Sequence, residues 1–152
     1  MDHLDRYPEQ RAQLVSAAIA AKQHAYDVHS QFRVGASVLS TSGEIVSGAS
    51  IDNAAYGASL CAERSALAKA VSDGLRAFVA LAITSDVDAP LPPCGLCRQV
   101  IREFCSPDVP ILLVPAGHRP GPSRDDIVTM RVKDLLPSAQ DSALSAVGRG
   151  TF

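Results

Sequence analysis

The chain has 152 residues, 47% of them apolar and 20% charged, which suits one globular domain able to bury roughly 70% of its unfolded surface. Fourteen basic and sixteen acidic residues leave a net charge of −2, a poor start for holding a polyphosphate backbone. With no Trp, three Tyr and four Phe, little is available for stacking on single strands, so no nucleic-acid polymer is expected as a partner.

The start, Met1 to Arg6, is polar and partly acidic, without the basic-then-apolar order of a secretory signal. The longest charge-free apolar runs, Leu14 to Ala21 and Phe78 to Ser85, are too short to cross a bilayer. The expectation is a soluble cytoplasmic protein with no membrane partner. In a reducing compartment Cys61, Cys94, Cys97 and Cys105 are expected to be thiols.

In chain order, residues 8–29 read as a helix: Pro8 suits a first turn, and Leu14, Ala18, Ala21, Ala25 and Val28 recur at spacings of three and four. Phe32 to Leu39, a Thr-Ser-Gly turn and Ile45 to Ala49 read as a strand hairpin. Residues 61–72 return to helical spacing, with Ala62, Ala66 and Ala70 as a small-residue ridge and Gly74 suited to the position after the cap. Phe78 to Thr84 is a short apolar run typical of a buried strand. A proline-bearing loop, residues 86–93, leads to a helix over 95–105 with Cys97, Val100, Ile101 and Phe104 on one face. Ile111 to Val114 and Ile127 to Val132 complete about five strands, separated by the Pro/Gly-rich loop 115–124, read as a solvated connection. Strands alternating with helices after an opening hairpin predict a layered α/β domain with a mixed sheet. Residues 1–137 form the domain and residues 138–152 a small, polar tail ending in Phe152.

The cysteines carry the chemistry. Cys61, Cys94 and Cys97 each fall in the opening turn of a helix, where unpaired amides and the helix dipole favour thiolates. A Cys-x-x-Cys pair at a helix start can direct both sulfurs at one ion, because Zn–S bonds are only about 2.3 Å. Cys105 lies about 12 Å further along the second of these helices and reads as a buried apolar residue. Three ligands with one open position describe a catalytic zinc site rather than a structural one.

Glu63, two residues after Cys61, is placed to move protons for a water whose pKa zinc lowers to about 7. Alone, it could also be an ordinary first-turn helix acid. Arg64 either compensates the thiolate charge or is a solvated cation. Other readings are a Cys94–Cys97 thiol–disulfide oxidoreductase and a nonenzymatic zinc-stabilised module. His24 and His29, placed on the first helix about 140° apart, cannot share a metal, and His3 and His118 are read as surface residues. Arg98 and Arg102, one turn apart, are read as subunit salt bridges or solvent-facing charges.

Cys-Ala-Glu followed by Pro-Cys-x-x-Cys is the zinc nucleobase-deaminase signature in its three-cysteine form. Together with Phe32-Arg33-Val34-Gly35-Ala36, Asn53-Ala54-Ala55-Tyr56, Cys61-Ala62-Glu63-Arg64-Ser65-Ala66-Leu67, Cys94-Gly95-Leu96-Cys97-Arg98-Gln99 and Leu135-Leu136-Pro137, it resembles the compact homotetrameric branch of the cytidine deaminases. The likeness covers about residues 10–137. It implies a three-layer α/β/α fold and hydrolytic deamination of cytidine and deoxycytidine in pyrimidine salvage. It also implies one Zn2+ per chain on Cys61, Cys94 and Cys97, with Glu63 as proton shuttle. By the same resemblance Phe32 flanks the substrate, the Ala62 backbone holds the base, Arg64 pairs with the thiolates and Tyr56 lies near a neighbouring subunit's site. The family's sugar-reading Asn-x-Glu-Asn is here Ser50-Ile51-Asp52-Asn53, which shortens both polar side chains at the implied substrate-binding positions Ser50 and Asp52. An aromatic residue that commonly follows Leu-Leu-Pro is also missing, with Gln140 nearby and Phe152 as a distant substitute. The same zinc chemistry on a modified cytosine nucleoside or a blasticidin-type antibiotic is therefore the alternative expectation.

Overall fold

A computed structural model describes Leu4, residues 7–119 and residues 126–139. The elements run α1 (Pro8–Lys22), β1 (Val34–Ser40), β2 (Ile45–Ala49), a single 3-10 turn (Tyr56–Ala58), α2 (Ala62–Ser72), β3 (Phe78–Ser85), α3 (Gly95–Phe104), β4 (Pro110–Val114), β5 (Val128–Arg131) and α4 (Val132–Leu135). Arg124, Gln140, Phe152 and His3 lie outside the described residues.

The strands form one sheet in the order β2-β1-β3-β4-β5. β3 and β4 are parallel, with Leu81 opposite Ile111, and the other neighbours are antiparallel. The predicted mixed five-stranded sheet is therefore present. Its period-two alternation feeds two separate cores. Ala36, Val38, Leu81, Ile83, Ile111 and Leu113 pack against α2, α3 and α4 through Ala62, Ala66, Leu67, Ile101, Cys105 and Leu135. Leu39, Ala80, Ala82, Leu112 and Val114 face Leu14, Val15 and Ala18 of α1 on the other side. Helices on both faces of one sheet make three layers.

One expected boundary moves substantially. Helix α1 ends at Lys22 instead of continuing to 29. The buried Lys22 ammonium donates to Ser85 O at 2.9 Å and lies 3.5 Å from Asp86, which turns the chain toward the sheet. Tyr26 then bonds the 50–52 segment through Tyr26 N–H to Ser50 O and Asp52 N–H to Tyr26 O. These tertiary hydrogen bonds outweigh a helical periodicity carried by Ala25 and Val28. His24 and His29 consequently lie beyond the helix.

The remaining boundaries shift by a residue or two. Gly74 adopts φ +98° just after the α2 cap residue Asp73, a left-handed conformation that glycine takes without a Cβ clash.

Candidate metal centre

Two connections position the centre. The segment after β2 pairs Ile51 with Leu60 through reciprocal backbone bonds of 2.9 Å, which delivers Cys61 to the N-terminus of α2. The loop after β3 delivers Cys94 to the N-terminus of α3. Cys61 and Cys94 are the N-cap residues of their helices, and Cys97 follows in the first turn of α3. First-turn amides lack intrahelical acceptors, so both helices direct partial positive charge at the same place.

The sulfurs of Cys61, Cys94 and Cys97 all lie within 4.8 Å of one another. The Cys61–Cys94 sulfur separation is 3.8 Å, about the edge of a tetrahedron with Zn–S bonds near 2.3 Å. The donor set thus fits a zinc ion in size and ligand type. Cys105 is buried in the core beneath α3, and burial pushes its thiol pKa up to about 12. It takes no part in the cluster.

Charge supports the same fit. Hydrogen bonds from Cys97, Arg64 and Cys94 stabilise a thiolate on Cys61 and bring its pKa down to about 5, against the opposing effect of burial. Cys97 is driven strongly upward, first by its hydrogen bond to Cys61 and then by burial and the charge of Glu63. Without a cation, a thiolate on Cys61 therefore opposes ionisation of Cys97. A bound divalent ion is what would let all three sulfurs ionise.

Glu63 is only 4% exposed. Burial raises its carboxyl to about 7, opposed by hydrogen bonds from its own backbone N–H and from Cys97. Among the described residues its Oε2 has no hydrogen-bond partner, an uncommon state for a buried polar atom. Arg64 places Nη2 3.3 Å from Ser59 O and 3.6 Å from Cys61 Sγ. Its side chain thus lies against a sulfur rather than out in solvent.

The positions expected around a substrate are distributed less uniformly. Ala62 is fully buried at the start of α2, Phe32 is half-buried in the loop before β1, and Tyr56 is 80% exposed on the 3-10 turn. Ser50 and Asp52 are both engaged within the chain. Ser50 Oγ accepts Val34 N–H at 3.0 Å, and Asp52 accepts from His29 and Ser30.

Arg98 has a structural position the sequence reading missed. It donates from Nε to Pro93 O at 2.7 Å and from Nη1 to Leu135 O at 3.0 Å, pinning the residue before Cys94 to α4. A guanidinium that captures carbonyls distant in sequence leaves no mark in spacing. His118 is likewise more than a surface residue: its side chain is largely buried, and Nδ1 lies 2.9 Å from Asp126.

Three thiols gathered at two helix N-termini, with a buried carboxyl beside them and an α/β/α sandwich behind, match the donor pattern of the zinc-dependent nucleobase deaminases. The family model for the cytidine and deoxycytidylate deaminase zinc-binding region matches residues 8–113. A cytidine deaminase of Halalkalibacterium halodurans is 44% identical over 129 residues, covering 85% of this chain and 92% of that protein. The crystal structure of cytidine deaminase from Burkholderia pseudomallei superposes with a TM-score of 0.75 at 36% identity, covering 84% of this chain and 97% of the other. A more distant relative, the blasticidin-S deaminase of Bacillus cereus, is 27% identical over 137 residues, covering 85% of this chain and 91% of that protein. The chain belongs to the cytidine and deoxycytidylate deaminase family.

Proposed function

We propose that this protein hydrolyses cytidine and deoxycytidine to uridine and deoxyuridine with release of ammonia. The observation that carries this reading is the placement of the unpartnered, buried Glu63 Oε2 beside a three-sulfur cluster whose spacing suits zinc. Cys61, Cys94 and Cys97 would hold one zinc ion per chain. When bound, zinc supplies Lewis acidity toward water.

Glu63 handles the protons. A carboxyl held near 7 by burial can both accept and give up a proton at neutral pH. It takes one proton from the attacking water and delivers it to N3 of the cytosine ring, then takes the proton of the resulting C4 hydroxyl and delivers it to the departing amino group. The oxygen of water ends on C4, the C4–N bond breaks, and ammonia leaves. Arg64, against Cys61 Sγ, offsets sulfur charge that would otherwise weaken the acidity of the ion. Phe32 flanks the ring and the Ala62 backbone holds the base.

Incubating the zinc-loaded protein with cytidine should give loss of cytosine absorbance and stoichiometric uridine and ammonia. No product at full zinc occupancy overturns the reading.

One observation favours a second reading. Ser50 and Asp52 direct their polar atoms into the chain, and a site that does not read sugar hydroxyls loses discrimination among them. The same chemistry on a modified cytosine nucleoside or a blasticidin-type antibiotic is supported to that extent. Comparing kcat/KM for cytidine, deoxycytidine and blasticidin S under identical conditions decides between them.

The wider assignment is a homotetrameric enzyme of pyrimidine salvage in the cytoplasm, with the catalytic domain in residues 1–137. An assembly is supported by exposed apolar side chains on segments that also bear on the centre, Tyr56 at 80% and Leu96 at 66%. Among the described residues no helix is long and apolar enough to cross a membrane. Sedimentation of the zinc-loaded protein tests the tetramer: a monomer at micromolar concentration rejects it.

A further inference from the structure

We propose that Asp52 is a positioning residue, clamping the loop between α1 and β1 through its carboxylate instead of taking a hydroxyl of the nucleoside. The proposal rests on the deamination reading above and deepens it by assigning how specificity is built.

The loop has no regular structure, yet each backbone amide from 29 to 34 has an acceptor. His29 N–H and Ser30 N–H donate to Asp52 Oδ2 at 3.1 and 2.7 Å. Gln31 N–H donates to Asp27 O at 2.8 Å and Phe32 N–H to Ser30 Oγ at 3.2 Å. Arg33 N–H reaches Asp86 Oδ2 at 2.9 Å and Val34 N–H reaches Ser50 Oγ at 3.0 Å. The Ser30 hydroxyl itself donates to Asp52 Oδ1 at 3.1 Å. Side chains from two other segments, 50–52 and 86, therefore accept from four of these six amides.

The loop needs that restraint. Gln31 sits at φ +52°, a left-handed conformation that a non-glycine residue keeps only when its surroundings enforce it. Asp52 is the anchor on the side of the metal centre, because its neighbour Ile51 is bonded to Leu60, the residue before Cys61. The carboxylate thus ties Phe32 to the strand-like segment that delivers the first cysteine. Three of its roughly four acceptor sites are filled by the loop. Loop donors, led by the Ser30 amide, also hold its carboxyl below the ordinary range.

Two measurements test the assignment. Hydrogen exchange on the zinc-loaded protein should show faster exchange at His29 and Ser30 in Asp52→Ala, with α3 unchanged; unaltered protection at those amides overturns the clamp. In kinetics, Asp52→Ala should raise KM about tenfold while changing kcat less. That factor should agree within about twofold for cytidine, deoxycytidine and 3′-deoxycytidine, because no sugar contact is lost. A penalty that disappears only for the substrate lacking the hydroxyl shows direct sugar recognition and overturns the proposal. In a Phe32→Ala background the Asp52→Ala penalty should vanish; full additivity also overturns it.

If Asp52→Ala does not fold, Ser30→Ala and Asp52→Asn carry the same comparison. The asparagine keeps an acceptor oxygen and should hold KM within about threefold of the parent; a Ser30→Ala penalty seen with cytidine and deoxycytidine but absent with 3′-deoxycytidine counts against the clamp. If the parent enzyme deaminates none of the three nucleosides, the function reading has failed, and hydrogen exchange still decides the clamp.

Discussion

Gly48 of β2 lies against the backbone of Ala66 in α2, so closely that a Cβ at position 48 would stand 2.9 Å from Ala66 Cα and from Ala62 O. The absence of a side chain is what lets the helix bearing Cys61 and Glu63 settle onto the sheet. Gly48→Ala should destabilise the protein by about 1–3 kcal/mol, the range typical of overpacking, and lower its zinc content. Urea denaturation and elemental analysis check both effects. An alanine variant of parental stability and zinc content would refute the packing argument.

Glu63→Gln keeps size and burial while removing the titrating oxygen. It should retain about one zinc per chain and lose roughly 10²–10⁴-fold in deamination rate, the usual contribution of a positioned acid–base group. Paired measurements of metal content and turnover check this. Parental turnover would remove Glu63 from the chemistry.

The four thiols should separate by environment once a chelator strips the metal. Cys61 is half-buried and Cys94 exposed, whereas Cys97 and Cys105 are buried. A thiol reagent should therefore react quickly with two groups and slowly with two in the metal-free protein. All three cluster sulfurs should be slow in the zinc form. Because neither hydrophobic core includes Cys61, Cys94 or Cys97, far-ultraviolet circular dichroism should show that the stripped protein stays folded.

Cys105→Ala should keep zinc and activity but lose about 1–3 kcal/mol of stability through the cavity it leaves. It should also reduce the alkaline sensitivity of folding. Burial holds the native thiol pKa near 12, above its unfolded value of about 8.5. The neutral thiol's contribution is thus present below the unfolded value and is lost as pH rises from there through the folded one. Denaturation midpoints at pH 8 and pH 10, compared with the parent, check the sign.

Asp86 has the opposite sign. Arg33 donates to it from its backbone N–H, Nε and Nη2 at 2.9–3.1 Å, and these bonds, with the nearby Lys22, hold its carboxyl below the ordinary range. Its contribution is present above the unfolded value near 3.9 and is lost as pH falls through the folded value. Asp86→Asn should be less stable than the parent at pH 7, and the difference should be smaller at about pH 3, below the unfolded value. Urea midpoints at the two pH values measure that convergence.

The helices and strands were legible where periodicity and packing demand agree. α2 and α3 carry their apolar ridges at helical spacing, and β3 and β4 are short apolar runs that become the buried parallel pair of the sheet. The first helix was overextended because Ala25 and Val28 continue a pattern the structure does not use. Lys22 turns inward to Ser85 and Asp86, partners more than sixty residues away, and no local signal announces that.

The metal-centre residues were readable for a related reason. Three cysteines and a glutamate at helix starts form a chemical inventory, and ligand chemistry accepts few alternatives to it. Their sequence neighbours were not equally readable. Ser50 and Asp52 are expected as substrate contacts by position, and the structure adds partners that position does not foretell: Val34 at the start of β1 for Ser50, and His29 and Ser30 of the loop before it for Asp52. Arg98 likewise captures two carbonyls its sequence context does not foretell.

The order of residue types alone determined the layered α/β architecture, the mixed sheet and which four side chains form the candidate centre. Those properties follow from periodicity, helix-end chemistry and donor identity, all local or nearly local. Tertiary structure alone decided where α1 stops, how closely the sulfurs approach, which of Glu63's oxygens lacks a partner and what Asp52 holds. Each depends on groups meeting from distant segments, where burial and hydrogen-bond geometry select one partner among many that composition allows.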